Sequence, residues 1–157
     1  MNLNAGTLSV GTSGASGGSA RVSVGNGTTL NFTPLSAGTL NLESLTLSGG
    51  GTIGMAWGSK IVASGAATLA GGAFKFSLSG NYTVGQTYTL LQGGLSSSLN
   101  TGSYEILNGQ AGRNFTFSVA DDFVKVTPEA RLLYWKGGSP SHERRWDTLN
   151  WTIDSAG

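Results

Sequence analysis

The sequence predicts an all-β fold, a parallel β-helix built of stacked turns, and three observations predict it. Gly, Ser and Thr make up 63 of the 157 residues, with Gly alone at 26, and the 17 charged residues are only 11%, where a typical domain has about a quarter. Short segments alternate apolar with small polar residues and end at Gly, Asn or Ser, which is the pattern of half-buried strands. Among the Thr-Leu pairs, those at Thr7, Thr29, Thr46, Thr68 and Thr89 are spaced by 22, 17, 22 and 21 residues. That spacing is about one turn of a solenoid, whose turns bury their apolar faces only against each other. A two-sheet β-sandwich, which also has many short strands, is the alternative.

The expected strands follow in order. Thr7–Val10, Arg21–Val24, Thr29–Phe32, Thr39–Leu42 and Leu45–Leu47 come first. Ala67–Leu69, Phe74–Leu78, Tyr88–Leu91, Phe115–Val119 and Phe123–Val126 follow. Alternation sends one set of side chains inward and the other to solvent, and here the solvent set is mostly Ser, Thr and Asn. Thr46-Leu47-Ser48-Gly49-Gly50 and Thr68-Leu69-Ala70-Gly71-Gly72, one such step apart, agree at four of five positions. Ala5-Gly6-Thr7-Leu8 recurs as Ala37-Gly38-Thr39-Leu40. Regular turns are expected to about residue 80. Beyond it an irregular end is expected, with Asp121-Asp122 in a hairpin turn and Tyr82, Tyr88, Tyr104, Phe115, Phe117 and Phe123 closing the core.

Charge divides the chain in two. Residues 1–70 hold only Arg21, Glu43 and Lys60, whereas 131–157 hold seven charges and three of the four Trp. The body is therefore set at 1–127, and 128–157 is a Trp/Arg-rich segment that either caps the body or begins another cassette.

Several classes are excluded. Collagen requires Gly at every third residue, and a helical transmembrane span requires an unbroken apolar run of about 18 residues or more; neither is present. A net charge of +1 with nine basic residues argues against nucleic acid as a partner. Cys is absent, which removes disulfides, thiol catalysis and Cys-based zinc sites. No basic stretch followed by an apolar core opens the chain, so an export signal is expected outside it.

Candidate chemistry is sparse. His142, the only histidine, lies in a polar loop, where a triad would also need a Ser nucleophile and an Asp such as Asp147, and zinc needs three or four ligands. Asp121 and Asp122 are adjacent and would point to opposite faces of a strand, which suits a solvated turn better than glycoside cleavage or calcium ligation. Gly49-Gly50-Gly51-Thr52 lacks the Lys of a phosphate loop. A Thr-x-Thr pattern of the ice-binding kind occurs only at Thr87-Tyr88-Thr89, and five Asn-x-Ser/Thr sequons follow from composition alone. The candidate ligand-binding residues are Trp57, Trp135, Trp146 and Trp151 with Arg144 and Arg145, since indole and guanidinium faces can stack on sugars or bases. Burial of Trp57 inside a turn, and packing of the other rings on the end of the body, are the plain alternatives. No catalytic set, metal or cofactor is expected.

Gly6-Thr7-Leu8-Ser9-Val10-Gly11, Val22–Leu30, Leu45–Ile53 and Gly85–Leu91 followed by Gly93-Gly94-Leu95 resemble the autotransporter-associated β-strand repeat of bacterial surface proteins. Tyr134-Trp135-Lys136-Gly137-Gly138, Trp146 and Asn150-Trp151 resemble the Trp-rich start of a following cassette. The resemblance implies a right-handed parallel β-helix in an exported passenger region, acting as a stalk or adhesive surface outside the cell. It implies glycans or surface proteins as partners and an outer-membrane barrel elsewhere in the parent protein. A carbohydrate-binding module on the same scaffold is the second reading, and a polysaccharide-lyase-like enzyme the third. Open solenoid ends would favour self-association.

Overall fold

A computed structural model describes residues 2–10, 16–34, 37–109, 113–130, 134–135 and 151–152. They form a β-solenoid of about three turns with no α-helix among them. The strands are β1 (Asn2–Leu3), β2 (Thr7–Val10), β3 (Ser16–Val24), β4 (Thr29–Phe32) and β5 (Thr39–Ser48). Then come β6 (Thr52–Ala56), β7 (Lys60–Ala63), β8 (Ala67–Ala70), β9 (Ala73–Ser79), β10 (Tyr88–Gln92) and β11 (Ser103–Ile106). The hairpin β12 (Phe115–Val119) and β13 (Phe123–Pro128) follows, then β14 (Tyr134–Trp135) and β15 (Trp151–Thr152).

One sheet stacks β2, β4, β6, β9 and β11 in parallel; the other runs β1-β3-β5-β7-β10-β13-β12, with β8 also on β5. The stacking is in register, so alternation becomes columns. Leu8, Leu30, Ile53 and Phe76 align, as do Val10, Phe32, Met55 and Leu78. On the other sheet Leu3, Val24, Leu47 and Leu69 align. Leu30, Phe32, Ile53, Phe76, Val24 and Leu47 are fully buried. Between them the outward columns carry hydroxyls: Ser23, Thr46 and Thr68, and Thr7, Thr29 and Thr52. The alternative sandwich of facing antiparallel sheets is not the architecture.

The repeat is partly as the sequence suggests. Thr7 lies on Thr29 and Thr46 on Thr68, so both long early steps of the Thr-Leu series are true turns. Thr29 and Thr46 belong to different sheets, so the short step between them is not a turn. Thr89 lies beside Lys125, not above Thr68, whose partner in the last turn is Ser98. The Ala-Gly-Thr-Leu pair is also coincidental, because Thr39 stacks on Lys60. The early turns are short, with Leu40 on Ile61 and Leu30 on Ile53. The last turn is longer, since Ile61 pairs with Leu91 and Phe74 with Tyr104.

The extra length enters at residues 80–87, between β9 and β10. Gly80 and Gly85 there adopt positive φ, which Gly alone adopts without strain. This break of period is where the expected irregular end begins. β10 pairs with β7 in parallel and with β13 antiparallel, with a bulge between Thr89 and Leu91. The solenoid thus ends in the β12–β13 hairpin, with Asp121-Asp122 at its turn as expected. Tyr82, Tyr88, Tyr104, Phe115 and Phe117 pack on the core; Phe123 instead lies under the Lys125 ammonium, 4.2 Å from its centroid.

Candidate functional site

The concentration of aromatic and polar side chains lies where the lengthened turn meets the hairpin. Trp57 follows β6 at a corner that Gly58, with φ +83°, turns, and its backbone N–H donates to the Ser79 carbonyl at 2.9 Å. The indole is only 8% exposed. Its ring centroid is 4.8 Å from Tyr82, 5.1 Å from Tyr88 and 6.0 Å from Phe115. Trp57 is therefore no open platform for a sugar ring; it is the floor of an aromatic cluster.

The 80–87 segment forms one wall. The Thr83 N–H donates to the Tyr88 hydroxyl at 2.7 Å, the Gln86 N–H to the Thr83 carbonyl at 3.2 Å and the Gly85 N–H to the Pro128 carbonyl at 2.8 Å. These bonds hold Tyr82 over Trp57. A cavity of about 260 Å³ opens beside them, lined by Trp57, Tyr82, Phe115, Leu78, Ser79 and Asn108 among others. A second, about 300 Å³, shares Gly80 and Tyr82 with it and extends to Asn81, Val84 and Arg113.

Two residues fix the polar side of the cluster. Asn108 Oδ1 accepts from the Leu78 N–H at 2.8 Å and its Nδ2 donates to the Leu78 carbonyl at 2.5 Å. The amide thereby continues the ladder of β9 past the end of β11. Arg113 places its guanidinium 5.6 Å from the Tyr82 centroid and donates from Nη1 to the Glu129 carbonyl at 2.8 Å. Its Nε is buried without a hydrogen-bond partner.

The residues singled out from sequence are not gathered into one site. Trp135 and Trp151 are register partners across the antiparallel β14–β15 pair, with Tyr134 opposite Thr152. Trp146, Arg144, Arg145 and His142 lie outside the described residues. Asp121 and Asp122 are both exposed; their carbonyls accept from Leu99 N–H at 2.9 Å and Gly93 N–H at 2.7 Å, so the turn ties the hairpin to the solenoid. No group of three or more His, Cys, Asp or Glu that could hold a metal occurs among the described residues. Tyr82, Asn108 and Arg113 were not anticipated as site residues. The available signal was the loss of period after residue 80, together with Arg113 as an isolated cation in a charge-poor body.

No family model matches the chain, and neither a curated protein nor a solved structure matches it.

Proposed function

We propose that the chain is a structural segment, a stalk or display surface, of an exported bacterial surface protein, and that it catalyses no reaction. One observation carries the reading: inner apolar columns in register beneath outer columns of Ser, Thr and Asn, with few charges. Such a body spans distance turn by turn, and its stability rests on stacking rather than on ion pairs. The two ion pairs of the described residues, Arg21–Glu43 and Lys75–Glu105, both sit at the surface, where such pairs contribute at most about 1 kcal/mol. The motif resemblance to autotransporter-associated repeats supports the same reading. The outer edge of β2 has no neighbour among the described residues, and an edge of this kind accepts a further rung or a second copy.

Antibodies raised against the chain test the proposal on cells of the organism that encodes it. Labelling of intact cells, abolished by brief protease shaving, is the expected result. Labelling only after permeabilisation contradicts it.

A further inference from the structure

We propose that the cleft beside Trp57, Tyr82 and Phe115 binds a terminal acidic sugar, a uronic acid whose carboxylate pairs with Arg113. The inference is independent of export or surface display. The two adjoining cavities, about 260 and 300 Å³, stand at or just below the lower limit of about 300–1,000 Å³ for small-molecule pockets. They suit a single ring rather than a chain of sugars.

The lining matches the chemistry of a pyranose acid. Its C–H faces are apolar, and Tyr82 and Phe115, backed by the nearly buried Trp57 and Leu78, line the cavity with apolar groups. Its hydroxyl rim needs donors and acceptors. The Asn81 amide and the uncommitted N–H and lone pair of Asn108 provide these, since Leu78 takes one of each from the Asn108 amide, and the Ser79 hydroxyl, which donates to the Met55 carbonyl at 3.5 Å, adds an acceptor. Its carboxylate needs a cation that nothing else neutralises. No carboxylate pairs with Arg113 among the described residues, and of its terminal nitrogens only Nη1 has a hydrogen-bond partner, the Glu129 carbonyl, which leaves Nη2. A guanidinium with a free donor is suited to a carboxylate. A purely aromatic carboxylate would use the apolar walls and Arg113 but leave the amide and hydroxyl groups unanswered.

Nuclear magnetic resonance titration of the full chain with methyl glucuronide, methyl glucoside and benzoate tests the proposal. The glucuronide is expected to saturate at millimolar concentration and shift the Trp57 indole N–H. The glucoside should bind about tenfold more weakly, the worth of one charge-assisted hydrogen bond. Arg113→Gln should bring the glucuronide to the level of the glucoside while the aromatic cluster keeps its Trp57 indole N–H signal in the ligand-free chain. The glucuronide methyl ester makes the same comparison without altering the chain and should also lose about tenfold. Absence of saturation, equal affinity for acid, ester and neutral sugar, or tighter binding of benzoate would each overturn the assignment.

Discussion

A Cβ added to Gly49 would lie 2.7 Å from the Gly71 carbonyl oxygen and 2.9 Å from Gly72 Cα. Both are backbone atoms of the next turn and cannot swing aside. Gly49→Ala must push two turns apart, and a loss of about 1–3 kcal/mol is expected in urea unfolding, as for other overpacked sites. This glycine was visible in the sequence as part of a repeated pentapeptide, but its reason was not, because close approach of turns is a property of the stack. Tyr104 is a second case. It donates to the Leu99 carbonyl at 2.7 Å and stacks on Phe76 at 5.9 Å. Burial pushes its phenol well above the usual range. Burial favours the neutral phenol, so its contribution is fully present below the unfolded value of about 10, where the unfolded chain begins to ionise first. Above that pH the unfolded state gains stability that the folded state does not share. The unfolding midpoint should therefore fall above that pH, and Tyr104→Phe should remove this alkaline component while keeping the ring contacts. At the other extreme, the hydrogen bond from Arg21, opposed by burial and helped by the Arg21 charge, holds the partly exposed Glu43 carboxyl below its ordinary value. Whatever Glu43 contributes is present above its unfolded pKa and fades as pH falls through the folded one. Glu43→Gln should leave the acid limb of the stability profile almost unchanged, because a surface pair is screened.

Three strands, two in the early turns and one in the closing hairpin, follow directly from their residues. Thr7–Val10, Thr29–Phe32 and Phe115–Val119 form with the bounds that alternation predicts, because each has apolar residues at period two and a turn residue beyond. Thr39–Leu42 and Leu45–Leu47 join into one strand, β5, which pairs with β7 along one half and β8 along the other. Alternation is interrupted at Glu43-Ser44, so the sequence shows a break where the ladder changes partner. β6 and β7 were not foreseen: Gly54 and the short Lys60–Ala63 run give weak patterns, and their pairing on β4 and β5 supplies what local pattern does not. At the end of β9, the Asn108 amide stands in for a strand neighbour. Asn108→Ala leaves a backbone N–H and a carbonyl of Leu78 without partners, and a loss of about 1–3 kcal/mol is expected in thermal or urea unfolding. The hydrogen exchange of Leu78 should accelerate in that variant, while that of Ile53 should follow global unfolding.

At the scale of the molecule, the period of the early turns was legible and the lengthened last turn was not, since an insertion erases the repeat that would reveal it. The aromatic residues after position 80 gave the sign of an irregular end; that Tyr82 would fold back over Trp57 depended on Gly80, Gly85 and the Pro128 carbonyl acting together. The stack carries the stability. Leu47 is fully buried between Val24 and Leu69, so Leu47→Ala should cost about 2–5 kcal/mol as a core truncation. Thr46→Ala, one position away on the outer face, should stay within about 0.5 kcal/mol. The absence of Cys allows the stacking itself to be read by paired cysteines. Thr46 and Thr68 are register partners on adjacent parallel strands, and neighbouring strands lie about 4.8 Å apart, within the span of a disulfide of about 4.4–6.8 Å between Cα atoms. Asn31 and Asn41, by contrast, would face each other only if β4 and β5 were a hairpin of a sandwich. Mild oxidation should close the disulfide in Thr46→Cys/Thr68→Cys and not in Asn31→Cys/Asn41→Cys. Closure of the second pair with failure of the first would contradict the solenoid.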